Sequence, residues 1–179
     1  MAALETKFRE PSYTISDPGY FSLPGSVHRF RDSKPTGWGS MNMFRSIQVS
    51  SDTYYYKLAW DMGIDRLSPQ LAKFGFGSPT GIDLDGEARG VLPSKEWKRK
   101  RFAGKRYPEA ARVWTPADVV PIGIGQGYNT YTPLQVAHAI AILANNGVVY
   151  QPHVVKEIEN LKTGEVSKVA TAPVRDNHH

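Results

Sequence analysis

Cysteine is absent from this 179-residue chain, which excludes a disulfide framework and any metal site built on thiolates. Long apolar runs are absent as well. The longest lies within residues 136–144 and is interrupted by His138, far short of the roughly 20 residues that a membrane-crossing helix needs. The opening, Met1-Ala2-Ala3-Leu4-Glu5, has neither the charged start nor the apolar core of a signal peptide, and reads as the tail of a helix begun upstream. There are no internal repeats. Net charge is modest at +5, and much of it falls in residues 95–106, so it describes a local surface more than the whole protein.

What is present is enough for one domain. Nine Tyr and four Trp within an ordinary apolar content fit a folded chain with a sizeable core, and the length leaves no room for two large domains. The chain is organised around Gln48-Val49-Ser50-Ser51-Asp52-Thr53, a polar stretch with helical sequence on both sides. Before it, Ser40 can cap a turn in which Met41, Phe44 and Ile47 recur at spacings of three. After it, Tyr55, Leu58, Ala59 and Met62 recur at i, i+3, i+4 and i+7, and Gly63 is a stop signal. Ser51 or Asp52 can accept from the unpaired N–H groups that open the second helix. A hydroxyl-rich turn between two buried helices can hold side chains at fixed positions in a cleft; taken alone, the same residues also read as a double helix cap.

Residues 10–39 carry turn chemistry at Asp17-Pro18-Gly19, Leu23-Pro24-Gly25 and Lys34-Pro35-Thr36-Gly37, with short extended pieces at Tyr13-Thr14-Ile15 and Val27-His28-Arg29-Phe30. About thirty irregular residues inside a compact domain often mark a functional surface. A helix is expected with Ser68 as cap, Pro69 at its first position and Leu71 and Phe74 on its apolar face, then a glycine break into strand-like Ile82-Asp83-Leu84. Ser94 opens a basic helix with Lys95, Lys98, Arg99, Lys100 and Arg101, anchored by Trp97 and Phe102. It reads as a phosphate-binding groove or as a solvated face.

Residues 119–128 are an apolar strand or loop running into glycines. Tyr128 stands where a dinucleotide fingerprint needs its third glycine, so that motif fails; the backbone instead approaches a neighbouring element or a ligand closely. The best-signalled helix follows, with Thr132 as cap, Pro133 at the first position and Gln135 closing a capping box. Its expected buried face is Val136, Ala137, Ile140, Leu143 and Ala144, and Asn145-Asn146-Gly147 ends it. Strands are expected at residues 148–150, 153–158 and 166–169, with a hairpin turn at 160–165 and no pattern in the tail.

Several blocks occur together in order: Ser50-Ser51-Asp52-Thr53-Tyr54-Tyr55-Tyr56, Met62-Gly63-Ile64-Asp65-Arg66-Leu67, Phe74-Gly75-Phe76-Gly77 with Thr80-Gly81-Ile82-Asp83-Leu84, and Ile124-Gly125-Gln126-Gly127-Tyr128 through Thr132-Pro133-Leu134-Gln135. Over nearly its whole length the chain resembles the transpeptidase domain of class B penicillin-binding proteins, in the elongation-type branch of Gram-negative bacteria. The resemblance implies an α/β fold with an antiparallel sheet between helical layers, of which this chain is an incomplete part, mostly helical with short antiparallel strands. It implies a serine that attacks the penultimate D-Ala of a stem peptide and forms an acyl-enzyme, which a neighbouring peptide's amine resolves into a cross-link; β-lactams are trapped at the acyl step. Three motifs carry that chemistry: Ser-x-x-Lys, Ser-x-Asn or Ser-x-Asp, and Lys-Thr/Ser-Gly.

Only the second motif is found, as Ser50-x-Asp52. The resemblance assigns Ser50 to proton shuttling and Asp52 to hydrogen bonding with the catalytic lysine or the substrate amide; Gln126, Gly127 and Tyr128 are the candidate substrate-binding residues. No Ser-x-x-Lys in the chain is a plausible substitute for the first motif, which is expected upstream of Met1. Lys162-Thr163-Gly164 is rejected as the third, because Glu165 follows and residues 160–165 have the chemistry of an exposed turn. The true triplet is expected beyond His179, so residues 1–179 are read as an internal fragment of one transpeptidase domain, inactive alone.

Some elongation-type relatives hold zinc with two Asp, a His and a Cys. Asp17 and Asp32 match the first two positions, but Trp38 and Ser51 stand at the others, so no metal and no cofactor are expected, and the two carboxylates are read as turn caps. The expected partners are peptidoglycan stem peptides, β-lactams and a membrane glycosyltransferase of the elongation machinery, with no nucleic acid, at the periplasmic face of the bacterial inner membrane. The competing reading is a non-catalytic binding module whose basic 95–106 surface meets anionic lipid, glycan or nucleic acid.

Overall fold

The computed structural model describes residues 1–176, so the last three residues of the tail lie outside it. The chain forms two compact units: residues 1–70 with 93–129, and residues 71–92 with those from 130 on.

The first unit opens with a helical turn, α1 (Ala2–Glu5), and four short strands: β1 (Ile15–Asp17), β2 (Tyr20–Phe21), β3 (Phe30–Arg31) and β4 (Gly39–Met41). β1 pairs antiparallel with β4, setting Ile15 opposite Met41, and β2 pairs antiparallel with β3. Then come α2 (Met43–Val49), α3 (Asp52–Met62) and α4 (Ile64–Lys73), whose last turn enters the second unit. α5 (Lys95–Arg101) and α6 (Pro116–Val119) follow the return of the chain, and a 3-10 turn at Pro121–Ile124 continues from α6.

α3 is the axis of this unit. Ser51 caps its start, Gly63 ends it, and it buries Tyr54, Tyr56, Ala59 and Met62. Tyr54 and Met62 join Ala3, Ile15, Met41 and Met43 in one apolar cluster, while Tyr56 packs with Phe21 and Val120 in another. Buried Arg9 pairs with Asp61 on α3, and Lys57 reaches the same carboxylate at 2.8 Å, which ties the N-terminal segment to the helix. Gly123 fits because it has no side chain: a Cβ there would fall on the Tyr55 carbonyl oxygen and lie 2.9 Å from the Ala59 methyl.

The cap of α2 is Asn42, whose Oδ1 accepts from the Arg45 N–H at 2.9 Å, and not Ser40. Its buried face is Met43 and Ser46, leaving Phe44 and Ile47 about two-thirds exposed. α4 starts at Ile64 instead of Ser68, with Pro69 inside it, because burial of Ile64 and Leu67 extends the helix past the local stop and start signals. Residues 119–128 form no strand: the Thr115-Pro116 start and Asp118 make a capping box, and the chain stays helical through Ile124.

The second unit is built on α7 (Pro133–Ala144), with β5 (Val148–Tyr150), β6 (Glu157–Glu159), β7 (Val166–Lys168) and β8 (Pro173–Asp176). The Thr132–Gln135 capping box forms as expected. The buried face does not: it is Gln135, Ala139 and Ile142, while Val136 and Ile140 are 47% and 59% exposed. Gln135 is drawn inward by polar partners. Its amide donates to the carbonyls of Ser78 and Arg89, both at 2.8 Å, and its Oε1 accepts from the Thr132 N–H. Residues 82–84 form a bend instead of a strand, with the Asp83 carboxylate accepting the N–H groups of Val154 and Val155. The tail is not patternless either, since β8 pairs with β5. Among the described residues the strands form four separate two-stranded antiparallel ribbons, and no larger sheet.

Candidate functional site

The polar stretch between α2 and α3 folds around two conformational facts. Ser50 ends α2 in the left-handed region at φ 55° and ψ 52°, where few non-glycine residues sit. Ser51 returns to extended geometry and caps α3, its Oγ accepting from the Tyr54 N–H at 3.3 Å. This turn between the helices exposes Ser50, buries Ser51 completely and leaves Asp52 half-buried at the first position of α3.

Beneath the turn lies a buried polar knot. The Ser51 hydroxyl donates to Asp17 Oδ2 at 2.7 Å, with Asp32 Oδ2 at 3.3 Å on its other side. One hydroxyl carries one proton, so the second carboxylate depends on other donors. Asp32 Oδ2 accepts from the Thr53 N–H at 2.9 Å, and its Oδ1 from Ser33 Oγ and the Lys34 N–H. Asp17 Oδ1 accepts from the Gly19 N–H at 2.8 Å. Both carboxylates therefore close turns in residues 10–39 and at the same time hold the start of α3.

The charges of this cluster act on one another. Burial pushes the Asp32 carboxyl up, but the donors from Thr53, Lys34 and Ser33 outweigh it and hold it below the ordinary range. Asp52 goes the other way, raised by burial and by the neighbouring Asp32 charge, against the Ser33 N–H that lowers it. Tyr56, one helical turn from Asp52, is raised by burial and then by the charges of Asp52 and Asp32.

The knot does not fit zinc. The Ser51 Oγ lies within hydrogen-bonding distance of both carboxylates and brings a neutral hydroxyl, not the thiolate or imidazole that zinc sites use, and Trp38 supplies no ligand. No group of three or more His, Cys, Asp or Glu that could hold a metal ion occurs among the described residues.

Gln126, Gly127 and Tyr128 follow the 3-10 turn that Gly123 seats on α3 at Tyr55 and Ala59, about 5–10 Å along the axis from Asp52. Gln126 and Gly127 are exposed. Tyr128 packs against Trp97, Phe102 and Trp114 at ring-centroid distances of 5.3 Å, 6.0 Å and 6.3 Å. Gly127 and Tyr128 also line a pocket of about 460 Å³ with His28, Phe30, Asp118 and Pro121. The turn carrying Ser50 and Asp52 and the glycine segment thus both sit on α3, at different points along it.

The basic stretch departs from its sequence reading. Trp97, Phe102 and Tyr107 pack edge-on against one another and are each half-buried. Lys98 is 5% exposed and pairs with Asp118 at 2.6 Å, whereas Lys95 and Lys100 project outward. Sequence alone missed this pair; the signal was the N-cap at Ser94, which fixes the phase of α5 and turns position 98 inward with Trp97. Lys162-Thr163-Gly164 lies in the exposed turn between β6 and β7, where Asn160 Oδ1 accepts from the Lys162 N–H.

Residues 1–178 match the penicillin-binding protein transpeptidase domain family. The peptidoglycan D,D-transpeptidase MrdA of Haemophilus influenzae is 51% identical over 149 residues, covering 83% of this chain and 22% of that protein. Among solved structures, Pseudomonas aeruginosa PBP2 in complex with WCK 5153 is similar at a TM-score of 0.80 and 37% identity, over 98% of this chain and 37% of that one. A complex between PBP2 and MreC from Helicobacter pylori gives 0.75 at 32% identity, over 93% and 29%. The chain spans about a fifth of the length of the curated relatives it matches.

Proposed function

This chain belongs to the penicillin-binding protein transpeptidase family, and from that premise we propose that residues 1–179 are part of a serine-type peptidoglycan D,D-transpeptidase of the elongation type. In this reading Ser50 and Asp52 are its second catalytic motif. A serine hydroxyl donates and accepts at once, so Ser50 can pass a proton to the leaving D-Ala amine and take one from the incoming amine, while the acyl group itself is carried by a nucleophile outside these residues. Asp52, its carboxyl raised by burial and then by the Asp32 charge, accepts from the lysine that serves that nucleophile or from the substrate amide. Gln126, Gly127 and Tyr128 border the bound stem peptide.

The observation that carries the reading is the left-handed Ser50, exposed at the end of α2 on a turn that the Ser51, Asp17 and Asp32 contacts hold rigid. Relatives named for this activity, one similar PBP2 being in complex with MreC, support the transpeptidase reading. We propose further that the whole protein sits next to a membrane glycosyltransferase of the elongation machinery, at the periplasmic face of the inner membrane. No helix of the described residues is long and apolar enough to cross a membrane.

Labelling with a fluorescent penicillin tests this. The 179-residue chain alone should form no covalent band, whereas a complete transpeptidase domain carrying these residues should label, and Ser50→Ala in it should slow acylation about a hundredfold. Labelling of the short chain, or indifference to Ser50→Ala, overturns the proposal.

A further inference from the structure

Lys98 is set apart from its basic neighbours. It lies in a run of cations yet is 5% exposed, while the side chains of Lys95 and Lys100 are 58% and 73% exposed. An ammonium withdrawn from water needs an anion and a favourable seat. It has both: Asp118 Oδ2 at 2.6 Å, and the faces of Tyr128 and Trp114 with ring centroids 5.5 Å and 6.0 Å from Nζ. The same Asp118 oxygen accepts the Thr115 N–H and hydroxyl, so the pair also fixes the start of α6. From α6 the backbone runs through buried Val119 and Val120 and the Gly123 contact on α3 into residues 125–128. Tyr128 and Asp118 both line the 460 Å³ pocket.

We propose that Lys98 is a positioning residue for the transpeptidase: through Asp118 below and Tyr128 above, it fixes the glycine segment that borders the bound stem peptide. The inference rests on the reading that residues 126–128 contact that peptide. Lys98 touches no reacting atom. It acts by holding Tyr128 and the pocket wall in one arrangement, which a neutral side chain of the same length cannot do.

Penicillin acylation of a complete transpeptidase domain carrying these residues, resolved into an initial dissociation constant and a limiting acylation rate, tests this. Lys98→Met should weaken initial binding about ten- to a hundredfold and leave the limiting rate within about threefold, the signature of lost positioning. Lys100→Met, the same change on the exposed face of α5, should alter neither. Lys98→Met/Asp118→Asn, which leaves no buried charge behind and keeps an oxygen for the Thr115 N–H, should fold and show the same binding defect if the single variant does not fold. Unchanged binding in a folded variant overturns the proposal, and so does an equal loss of both constants with a lowered melting midpoint, which marks a purely structural role. If even the unaltered domain is not acylated, the transpeptidase reading fails by itself. The Tyr128 ring resonances then decide between a held and a free ring, and identical ring shifts in Lys98→Met overturn the positioning role.

Discussion

Ser51→Ala is the substitution that loads the polar knot most directly. It deletes the acceptor that caps α3 and the only proton between two buried carboxylates. Loss of an N-cap destabilises by about 1 kcal/mol. Loss of a hydrogen bond to a buried charged group adds about 1.5–3 kcal/mol, because Asp17 Oδ2 keeps its desolvation without its donor. The two effects share one atom and do not add fully, so about 3 kcal/mol is expected, or roughly 6–12 °C in the melting midpoint of a chain this size. Urea unfolding followed by far-ultraviolet circular dichroism gives the same difference isothermally.

The deficit should depend on pH with a definite sign. The depressed Asp32 pKa contributes stability that is full above the unfolded carboxylate range, near pH 4, and is lost as pH falls through the lower folded value. A protonated Asp32 then brings a donor of its own, so the gap between Ser51→Ala and the unaltered chain should narrow there. The raised pKa of Asp52 works oppositely: its contribution is full in acid and is lost as pH rises through the raised value. A Ser51→Ala variant within 0.5 kcal/mol (an error-sized change, about) of the parent at neutral pH would refute the reasoning.

Gln135→Ala removes the buried amide that donates to the carbonyls of Ser78 and Arg89 and should destabilise the second unit by about 1–3 kcal/mol, read as faster amide exchange across α7 with the first unit's amides unaffected. Gly123→Ala forces a methyl onto the Tyr55 carbonyl and should cost about 2–3 kcal/mol in urea melts, far more than an unobstructed glycine-to-alanine change. Because Lys98 and the aromatic residues of the basic stretch are committed within the chain, polyanion binding should be weak. Titration of a single-stranded oligonucleotide should show a shallow dependence on salt, and a slope of several counterions would restore the binding-module reading.

Capping chemistry was the most legible part of the sequence. Thr132, Gln135, Ser94, Ser51 and Gly63 each mark a helix end the structure keeps, since those signals act between near neighbours. Faces were less legible. Along α7 both Gln135–Ala139–Ile142 and Val136–Ile140–Leu143 follow i, i+4, i+7, so periodicity alone had no means of choosing, and the choice fell to two loop carbonyls distant in sequence. The site divides likewise. Ser51 reads locally as a cap, whereas the roles of Ser50 and Asp52 and the grouping of Asp17 and Asp32 with Ser51 come only through a family pattern. The hydrogen bonds that join those three span 34 and 19 residues, beyond the reach of any local rule. Lys98 was hidden by composition, since four other cations in α5 do face water.

The left-handed backbone at position 50 narrows what chemistry can replace it. Glycine, asparagine or aspartate would rest there with little strain, but none brings an alkyl hydroxyl. Threonine keeps the oxygen, yet its branched Cβ makes φ near 55° unfavourable. Serine is the one ordinary residue that meets both demands tolerably, so a saturation library at this codon would have to choose between a relaxed chain and a usable alcohol.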